Sequence, residues 1–380
     1  MLAAVLLAGC GGGGGGDDRP TAAAPTPSPT PVAEGTPTPA ATVPPIFPLA
    51  FAAGDDFVSS SDDGGATWQP IFAVTTGLHA IDFVDRRLGW AVGYGSLNRA
   101  ALGGLPDGRA WESQLANVVA PLPDLGDVAF ADATRGVIVG STLFASERRG
   151  PDILVTDDAG DHWRHADLDG LPPSFEAYLT RVCMSPNGAG VAIGGRHGSD
   201  LPLLMTTATF GERWVARPVD GDVAGLASCF SDGDVAWVVG APSAVLVTHD
   251  GGATWAQVRL TTARADLFLG AVIFTDPARG WIAGYDIAVD EVVVFATTDA
   301  GATWTETVVL EGVANAYGTL PAAFAAFDED SLILVGTDPG FFPFDVPRAF
   351  SFVTHDGGRT WTESAVPVGT ASFSDVDVVP

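Results

Sequence analysis

One eight-residue pattern recurs along this chain and constrains its fold more than any other feature. Five copies fit the frame [ST]-x-D-x-G-x-[TH]-W: SDDGGATW (61–68), TDDAGDHW (156–163), THDGGATW (248–255), TTDAGATW (297–304) and THDGGRTW (354–361). Two degraded copies, GLPDGRAW (104–111) and TATFGERW (207–214), keep the Gly and the Trp. A unit that returns every 40 to 60 residues or so predicts a repeat architecture.

A second element precedes each of these Trp residues except Trp68 and supplies the rest of the unit. Its six copies are RLGWAVG (87–93), TRGVIVG (134–140), GAGVAIG (188–194), DVAWVVG (234–240), ARGWIAG (278–284) and DSLILVG (330–336). Short apolar runs rich in Val, Ile and Phe stand before it, bounded by turn residues, as expected of buried strands. Since no segment keeps a 3.6-residue apolar period, we expect almost no helix and four strands per unit. Such units are blades of a β-propeller.

The two ends of the chain predict how the ring closes. The C-terminal segment has the pattern of a first strand without the rest of its blade, SFSDVDVVP (372–380). The N-terminal segment has the pattern of a second and a third strand without a first, PLAFAAGDDFVSSSDDGG (48–65). Pairing them would complete the blade that contains Trp68. The prediction is therefore an all-β, seven-bladed β-propeller of four-stranded antiparallel blades, closed by pairing of the N- and C-terminal strands.

The Asp in each copy of this eight-residue pattern is expected to stabilise a turn rather than to act in catalysis. A residue that is repeated around a ring is not a single catalytic acid. Asp in a hairpin turn accepts backbone N–H bonds two residues on, the following Gly provides a positive φ, and the Trp covers the turn. We predict these turns to lie opposite the usual binding face. The residues assigned this structural role are Asp63, Trp68, Asp158, Trp163, Asp250, Trp255, Asp299, Trp304, Asp356 and Trp361.

These motifs resemble the Asp-box, or bacterial neuraminidase repeat. The combination of GWAVG with TxDGGxTW is similar to the photosystem II stability/assembly-factor type of seven-bladed propeller, over residues 46 to 380. The resemblance implies a protein-binding or assembly scaffold for a membrane complex, and a basic patch on the ring. This chain departs from that expectation, with 46 acidic residues, 18 Lys and Arg and a net charge of −28. That charge argues against nucleic acid as a partner.

The N-terminus predicts export and a lipid anchor. Residues 1–10, MLAAVLLAGC, read as a lipoprotein signal peptide whose lipobox, LAGC, would place the lipid on Cys10. Residues 11–45 are rich in Gly, Pro and Thr, a composition that does not fold, and are expected to form a tether. The propeller would then be held on a bacterial membrane outside the cytoplasm, facing the periplasm or the cell surface.

Two further cysteines, Cys183 and Cys229, stand eleven residues before the closing glycines of adjacent units, Gly194 and Gly240. Equivalent sites in neighbouring blades are expected to lie one blade's thickness apart, which is too far for a disulfide. We therefore expect two buried free thiols.

A glycoside hydrolase, sialidase-like or xyloglucanase-like, is the alternative function. A sialidase would need an Arg triad, a Tyr–Glu pair and an Asp on one face. Tyrosine occurs only at 94, 178, 285 and 317, and Glu176 lies two residues from Tyr178. Nothing singles out a carboxylate pair, and no hydrolase motif is present. The sequence predicts no catalytic residue, no metal site and no cofactor.

Partner binding is expected in the loops between second and third strands, where the repeat breaks down. The candidate residues, in three such segments, are Arg148, Arg149, Arg196, His197, Phe341, Phe342 and Phe344. Exposed aromatics mark partner surfaces, and arginines on adjacent loops could bind an anion or a carboxylate. Two alternatives stay open, since the Phe residues could pack on one another and the Arg residues could be solvated or paired with Asp. The expected partner is an envelope protein or protein complex, bound by a monomer.

Overall fold

The computed structural model describes residues 49–55, 57–73, 76–85, 88–101, 110–114, 124–141, 150–172, 175–199, 201–264, 267–311, 320–338 and 346–379. Its regular elements are all β-strands. They form seven sheets, which are the predicted seven blades. No helix in this described part is long and apolar enough to cross a bilayer.

The strands follow the sequence blade by blade. Blade 1 has β1 (Leu49–Ala53), β2 (Phe57–Ser61) and β3 (Gln69–Ala73); blade 2 has β4 (Leu78–Asp85), β5 (Leu88–Gly93), β6 (Ser96–Ala101) and β7 (Ala110–Ser113). Blade 3 has β8 (Asp124–Phe130), β9 (Gly136–Ser141), β10 (Pro151–Thr156) and β11 (Arg164–His165). Blade 4 has β12 (Asp167–Asp169), β13 (Ala177–Met184), β14 (Gly190–Arg196), β15 (Pro202–Thr207) and β16 (Arg213–Arg217).

The last three blades repeat the plan. Blade 5 has β17 (Gly225–Asp232), β18 (Val235–Ala241), β19 (Ala244–Thr248) and β20 (Ala256–Gln257); blade 6 has β21 (Leu267–Phe274), β22 (Gly280–Asp286), β23 (Glu291–Thr297) and β24 (Thr305–Leu310). Blade 7 has β25 (Leu320–Ala326), β26 (Leu332–Asp338), β27 (Arg348–Thr354) and β28 (Thr362–Glu363). The chain returns to blade 1 with β29 (Asp375–Val379).

The ring closes as predicted. Strand β29 pairs antiparallel with β1, with Leu49 opposite Val379 and Ala53 opposite Asp375. The sheet order β29-β1-β2-β3 makes the C-terminal strand the innermost strand of the blade that contains Trp68. Closure covers the edge of β1, which would otherwise be open to pairing with another chain.

Blade 4 departs from the four-strand plan. Strand β12 comes from the segment that leaves blade 3, and it runs parallel to β16, with Asp167 opposite Arg213. It therefore covers the outer edge of blade 4 as a fifth strand. The sequence shows no sign of it, because three residues are too short for a periodic pattern.

The core lies between the blades. One buried cluster combines Trp237 and Val239 of blade 5 with Val272 and Phe274 of blade 6. The Asp-box glycine takes part, since Gly301 has a φ of 79° and a Cβ there would lie 2.4 Å from the Trp237 ring. Each Asp-box turn is thus packed against the preceding blade, and neighbouring blades stabilise one another.

The prediction of free thiols at Cys183 and Cys229 is wrong. The two residues form a disulfide that joins β13 of blade 4 to β17 of blade 5, with a Cα–Cα distance of 6.0 Å. The expected separation assumed a whole blade's thickness between equivalent residues. Innermost strands converge on the axis of a propeller, so equivalent positions on β13 and β17 come within the range of a disulfide.

The two faces of the ring can be defined from the strand ends. Innermost strands begin on one face, together with the loops between second and third strands, and we call this the mouth face. The turns between first and second strands and the Asp-box turns between third and fourth strands lie on the other, which we call the Asp-box face.

Candidate functional site

The Asp-box turns share one hydrogen-bond pattern. Asp250 Oδ1 accepts the Thr248 hydroxyl at 2.8 Å and the Thr254 N–H at 2.8 Å, and its Oδ2 accepts the Thr254 hydroxyl at 2.6 Å. The Gly252 N–H donates to Thr248 Oγ1 at 2.9 Å. The backbone donor therefore lies four residues after the Asp, not two as predicted from Asp turns in general. The same backbone bond to Oδ1 recurs at Asp63, Asp158, Asp299 and Asp356, and at Asp158 the partner of Oδ2 is the His162 ring instead of a hydroxyl.

Through these bonds, both carboxylate oxygens of the Asp accept hydrogen bonds from residues of the same turn. Hydrogen bonds from Thr254 lower the pKa of Asp250 to about 2, because they favour its ionised form. The indole N–H groups of Trp214, Trp304 and Trp361 donate to the carbonyl of the box glycine. With its ionised carboxylate held in this way, each turn is arranged to keep its own shape rather than to transfer protons.

A second group of aspartates lines the innermost strands of blades 1 to 3. Asp82 accepts the Phe130 N–H at 2.7 Å, and Asp127 accepts the Val182 N–H at 2.8 Å. In each pair the carboxylate reaches sideways to the backbone of the next blade's first strand. Sequence reasoning missed this role, although an Asp within an apolar first strand is the signal that could have found it.

The inner aspartates sit in an unusual electrostatic environment. Burial raises the pKa of Asp127 to about 7, while the Arg181 guanidinium acts in the opposite direction. Burial also raises the pKa of Asp377 to about 7, against the N–H bonds from Phe83 and Val378. Burial and the charge of Asp377 together raise the pKa of Asp82 well above its usual range.

Arg181 is the cation at the centre of this group. It lies on β13, and its Nη2 donates to the Ser374 carbonyl at 2.9 Å, just before the C-terminal strand. Its Nη1 lies 3.5 Å from the His79 carbonyl of blade 2. One guanidinium thus connects the inner strands of blades 1, 2 and 4. Burial raises the pKa of both Asp127 and Asp375, and the charge of Arg181 opposes that rise in each case.

A cavity of about 500 Å³ opens beside Arg181 at the mouth face. Five blades contribute to its walls, which place His79, Tyr178, Arg181 and His197 around one space. His79 Nδ1 is 2.8 Å from the Leu125 carbonyl, and the Tyr178 and His197 rings pack with centroids 5.1 Å apart. The cavity therefore joins aromatic surface to several hydrogen-bonding groups, a composition typical of ligand and peptide sites.

Of the seven residues predicted for partner binding, the structure describes two. Arg196 is exposed at the end of β14, with its guanidinium 4.7 Å from the centroid of the Phe175 ring. His197 lines the cavity at the mouth face. Arg148, Arg149, Phe341, Phe342 and Phe344 lie outside the described residues, so their binding role stays a prediction.

Exposed apolar side chains concentrate on the same face. Nine large hydrophobic residues are exposed in the described part of the chain, and two of these, Ile71 and Val308, lie on the outer strands β3 and β24. The other seven lie in loops or at strand starts of the mouth face, and they are Tyr94, Leu201, Phe268, Ile287, Val289, Val346 and Val368. Such a concentration marks an interaction surface.

Among the described residues considered for a hydrolase, Glu176 and Tyr285 lie in different surroundings. Glu176 is exposed, and its carbonyl accepts the His197 N–H at 3.0 Å. Tyr285 is buried and its hydroxyl bonds to Asp290. Tyr317 lies outside the described residues. Within the described ranges, no three His, Cys, Asp or Glu residues are grouped as metal ligands.

Comparison with known proteins gives a family resemblance. Residues 209–362 match the family described as photosynthesis system II assembly factor YCF48. The photosystem II assembly lipoprotein Ycf48 of Synechococcus sp. (strain CC9902) is 32% identical over 134 residues. That match covers 34% of this chain and about a third of the relative, 35% of its length. The Asp-box propeller resemblance predicted from the motifs is thereby confirmed.

Solved structures support the fold alone, since all are below 25% identity. A structure of YCF48 bound to a D1 peptide shares 18% identity at a TM-score of 0.51, over 86% of this chain and 88% of that one. A Lactobacillus plantarum protein shares 13% identity at a TM-score of 0.55, over 88% and 100%. An ancestral GH74 enzyme shares 12% at a TM-score of 0.53, over 88% of this chain and 45% of the enzyme.

Proposed function

We propose that this chain, an Asp-box propeller similar to the YCF48 assembly-factor family, is an assembly factor that binds a peptide segment of a partner protein at its mouth face. The observation that carries the proposal is that seven exposed apolar side chains lie on the same face of the ring as the Arg181 cavity. The assembly role rests on the family resemblance, and the peptide on the solved YCF48 complex with a D1 peptide.

The geometry of the mouth face suits a peptide. A cavity of about 500 Å³ accepts a few side chains and not a folded domain. The apolar rim would bury the flanking residues of the segment, and side-chain donors at the centre would bind its polar groups. Basic groups at the centre, with Arg181 foremost, would favour a carboxylate of the peptide although the chain as a whole is acidic.

The hairpin loop of blade 6 is held ready for such contact. Ile287 and Val289 are about half exposed, at 47% and 52%. Arg264 binds the two ends of their loop, through Asp286 at 2.8 Å and Glu291 at 2.6 Å. A loop that is already ordered loses less conformational entropy on binding, so these two residues are strong candidates for anchors.

The expected location is the outer surface of a bacterial membrane, with a lipid on Cys10 and residues 11–45 as the tether. Those residues lie outside the described part of the chain. Two observations support the proposal: the lipoprotein name of the Synechococcus relative, and the Cys183–Cys229 disulfide, which is typical of compartments outside the cytoplasm.

Photo-crosslinking in the native envelope tests the binding face. A photoreactive phenylalanine analogue at Ile287 should crosslink to a defined envelope protein. The matched control is the same analogue at Ala66, which is exposed in the Asp-box turn of blade 1, on the opposite face of the ring. Equal crosslinking from both positions, or from Ala66 alone, would contradict the mouth face as the binding face. Cleavage of xyloglucan or a fluorogenic sialoside by the purified chain would favour a hydrolase instead.

Fatty-acid labelling tests the anchor. Cells given an alkyne fatty acid should label the wild-type chain and leave Cys10→Ser unlabelled and released from the membrane fraction. The same experiment with Cys183→Ser and Cys229→Ser together controls for labelling of other cysteines. Labelled Cys10→Ser protein would overturn the assignment of Cys10.

A further inference from the structure

A separate groove lies on the Asp-box face between blades 5 and 6. It encloses about 260 Å³, less than a drug-sized ligand needs and suited to one side chain. Phe230, Val235 and Trp237 of blade 5 and Phe274 of blade 6 form its walls, and its remaining lining residues are Asp232, His249, Asp276, Pro277 and Ala300.

The groove combines aromatic faces with carboxylates. The Phe230 and Phe274 ring centroids are 5.6 Å apart, and Trp237 stacks on Phe274 with centroids 4.8 Å apart. Asp232 is exposed beside them, whereas the half-buried Asp276 already accepts the backbone N–H groups of Ala278 and Arg279. Aromatic rings and an exposed carboxylate in one small space attract an organic cation, because the ring faces and the charge act in the same direction.

Blade 3 shows what fills the equivalent space in this fold. Counted back from the closing glycine of the strand-two element, Arg135 stands where blade 5 has Val235. The Arg135 guanidinium lies 3.4 Å from the centroid of the Phe210 ring in blade 4. Asp132 binds it, with the Arg135 Nε donating to Oδ2 at 2.7 Å.

Blade 5 keeps the acid and lacks the base. Asp232 corresponds to Asp132 of blade 3, whereas Val235 replaces the arginine. On the facing blade, Ala300 corresponds to Phe210, so the stacked ring is missing as well. The groove between blades 5 and 6 is therefore the space that a guanidinium and a phenyl ring occupy between blades 3 and 4.

Blade 6 also has an arginine at this position. Arg279 corresponds to Arg135, and its Nη1 reaches Glu329 at 3.2 Å and Asp330 at 3.5 Å in blade 7. Two blades thus place a guanidinium beside acidic groups, which belong to the same blade for Arg135 and to the next blade for Arg279.

We propose that the groove between blades 5 and 6 binds the guanidinium group of an arginine side chain from a partner protein. This site lies on the face opposite the Arg181 cavity, so it does not depend on peptide binding at the mouth face. A planar guanidinium can stack on Phe230 and donate to Asp232 in one pose, which a compact ammonium cannot match. The net charge of −28 would attract a basic partner.

Peptide titration tests the proposal directly. The full chain, labelled on methyl groups and on the Trp indole nitrogens, is titrated with acetyl-Gly-Arg-Gly-amide while NMR spectra are recorded. We expect saturable shifts of the Val235 methyl groups and the Trp237 indole. The citrulline peptide, which has the same shape without the charge, should leave both signals in place.

Two variants and a matched control complete the design. Val235→Arg restores the residue found at the equivalent position of blades 3 and 6, and it should fill the groove and abolish the shifts. Asp232→Asn should weaken binding about two- to fivefold, as expected for one partly exposed ion pair. Ser331→Arg introduces the same charge at the equivalent position of blade 7 and should bind the peptide as the wild type does.

The results of these titrations distinguish binding of a partner's arginine from the alternatives. Absence of saturable shifts, equal binding of the citrulline peptide, or unchanged binding by Val235→Arg would each overturn it. The chain's own Arg19 is another possible occupant. If Arg19→Gln exposes a site that the wild type conceals, so that the peptide binds several times more tightly, the groove serves the chain's own N-terminus and the partner assignment is wrong.

Discussion

The carboxylate of Asp377 accepts a hydrogen bond from the backbone N–H of Phe83, with 2.7 Å between Oδ2 and N. Two residues earlier, Asp375 accepts the Ile81 N–H at 3.0 Å. The C-terminal strand β29 is therefore bound on two sides: it pairs with β1 inside blade 1, and its carboxylates bond to β4 of blade 2. Ring closure depends on side-chain charges as well as on strand pairing.

The buried carboxylate of Asp377 makes the stability of the closed ring depend on pH. Burial raises the pKa of Asp377 to about 7, from 3.8 when it is exposed, so the folded state holds the proton more tightly than the unfolded state. The stabilising contribution is complete below about pH 4 and is lost as the pH rises through about 7. We expect Asp377 by itself to make the free energy of unfolding about 1–3 kcal/mol higher at pH 5.5 than at pH 8, and Asp127 to add to that difference; denaturant unfolding at constant ionic strength measures it.

Asp377→Asn isolates the contribution of this group. The amide does not ionise, so the difference between pH 5.5 and pH 8 should shrink in the variant, while the remaining acids and histidines titrate as before. An unchanged pH dependence would show that Asp377 ionises normally in the folded protein.

The Asp-box tryptophans should differ in their effect on stability. Trp214 is fully buried, whereas Trp255 is only partly buried. Trp214→Ala should lower the free energy of unfolding by about 3–5 kcal/mol, the usual cost of removing a buried indole, and Trp255→Ala by less. Both folded variants should still crosslink through Ile287. Loss of crosslinking by folded Trp255→Ala would indicate that the Asp-box face takes part in binding.

The disulfide between blades 4 and 5 should stabilise the ring. Replacing Cys183 and Cys229 by Ala should lower the free energy of unfolding by about 2–4 kcal/mol, because the bridge restricts the unfolded chain. A reducing agent should destabilise the wild type by a similar amount and leave the double variant unchanged. Equal sensitivity of both proteins to the reductant would contradict a structural bridge.

Arg264 should matter more than an ordinary surface arginine. It bonds to Asp286, Glu291 and Glu306 at 2.6–2.8 Å, and Asp286 is buried. Arg264→Gln should cost about 2–4 kcal/mol, since it leaves buried and half-buried carboxylates without their cation. Faster amide hydrogen exchange in residues 286–291 would report the loosened loop.

Arg213→Gln is the matched control for that prediction. Its pair with Asp169 is exposed on both sides, so its loss should cost less than about 1 kcal/mol. Similar losses from the two variants would show that the network around Arg264 has no special weight.

The fold could be predicted because its signals are local and repeated. Each Asp-box turn depends on residues within about eight positions, so Thr248, Asp250, Gly252 and Trp255 specify it without help from distant parts of the chain. Seven copies at a regular spacing then determine the blade number. The pairing of the C-terminal strand, residues 375–379, with β1 could be predicted because the N-terminal segment of blade 1 lacks a first strand.

The candidate site could be predicted only in part. His197 was found because it lies where the repeat breaks down. Arg181 was missed because it stands inside a first strand, where the pattern suggests only packing. The exposed Ile287 and Val289 were missed as well, since apolar residues in sequence carry no sign of whether a loop exposes them.

The sequence alone determined the blades, their number and the closure by β29, because hairpins and strand periodicity arise from neighbouring residues. Only the tertiary structure decided that Cys183 meets Cys229, that Asp127 and Asp377 lose their water, and that Arg181 lies among five blades. Those properties depend on how closely the innermost strands approach the axis. That distance is set by the packing of all seven blades together, and no single segment encodes it.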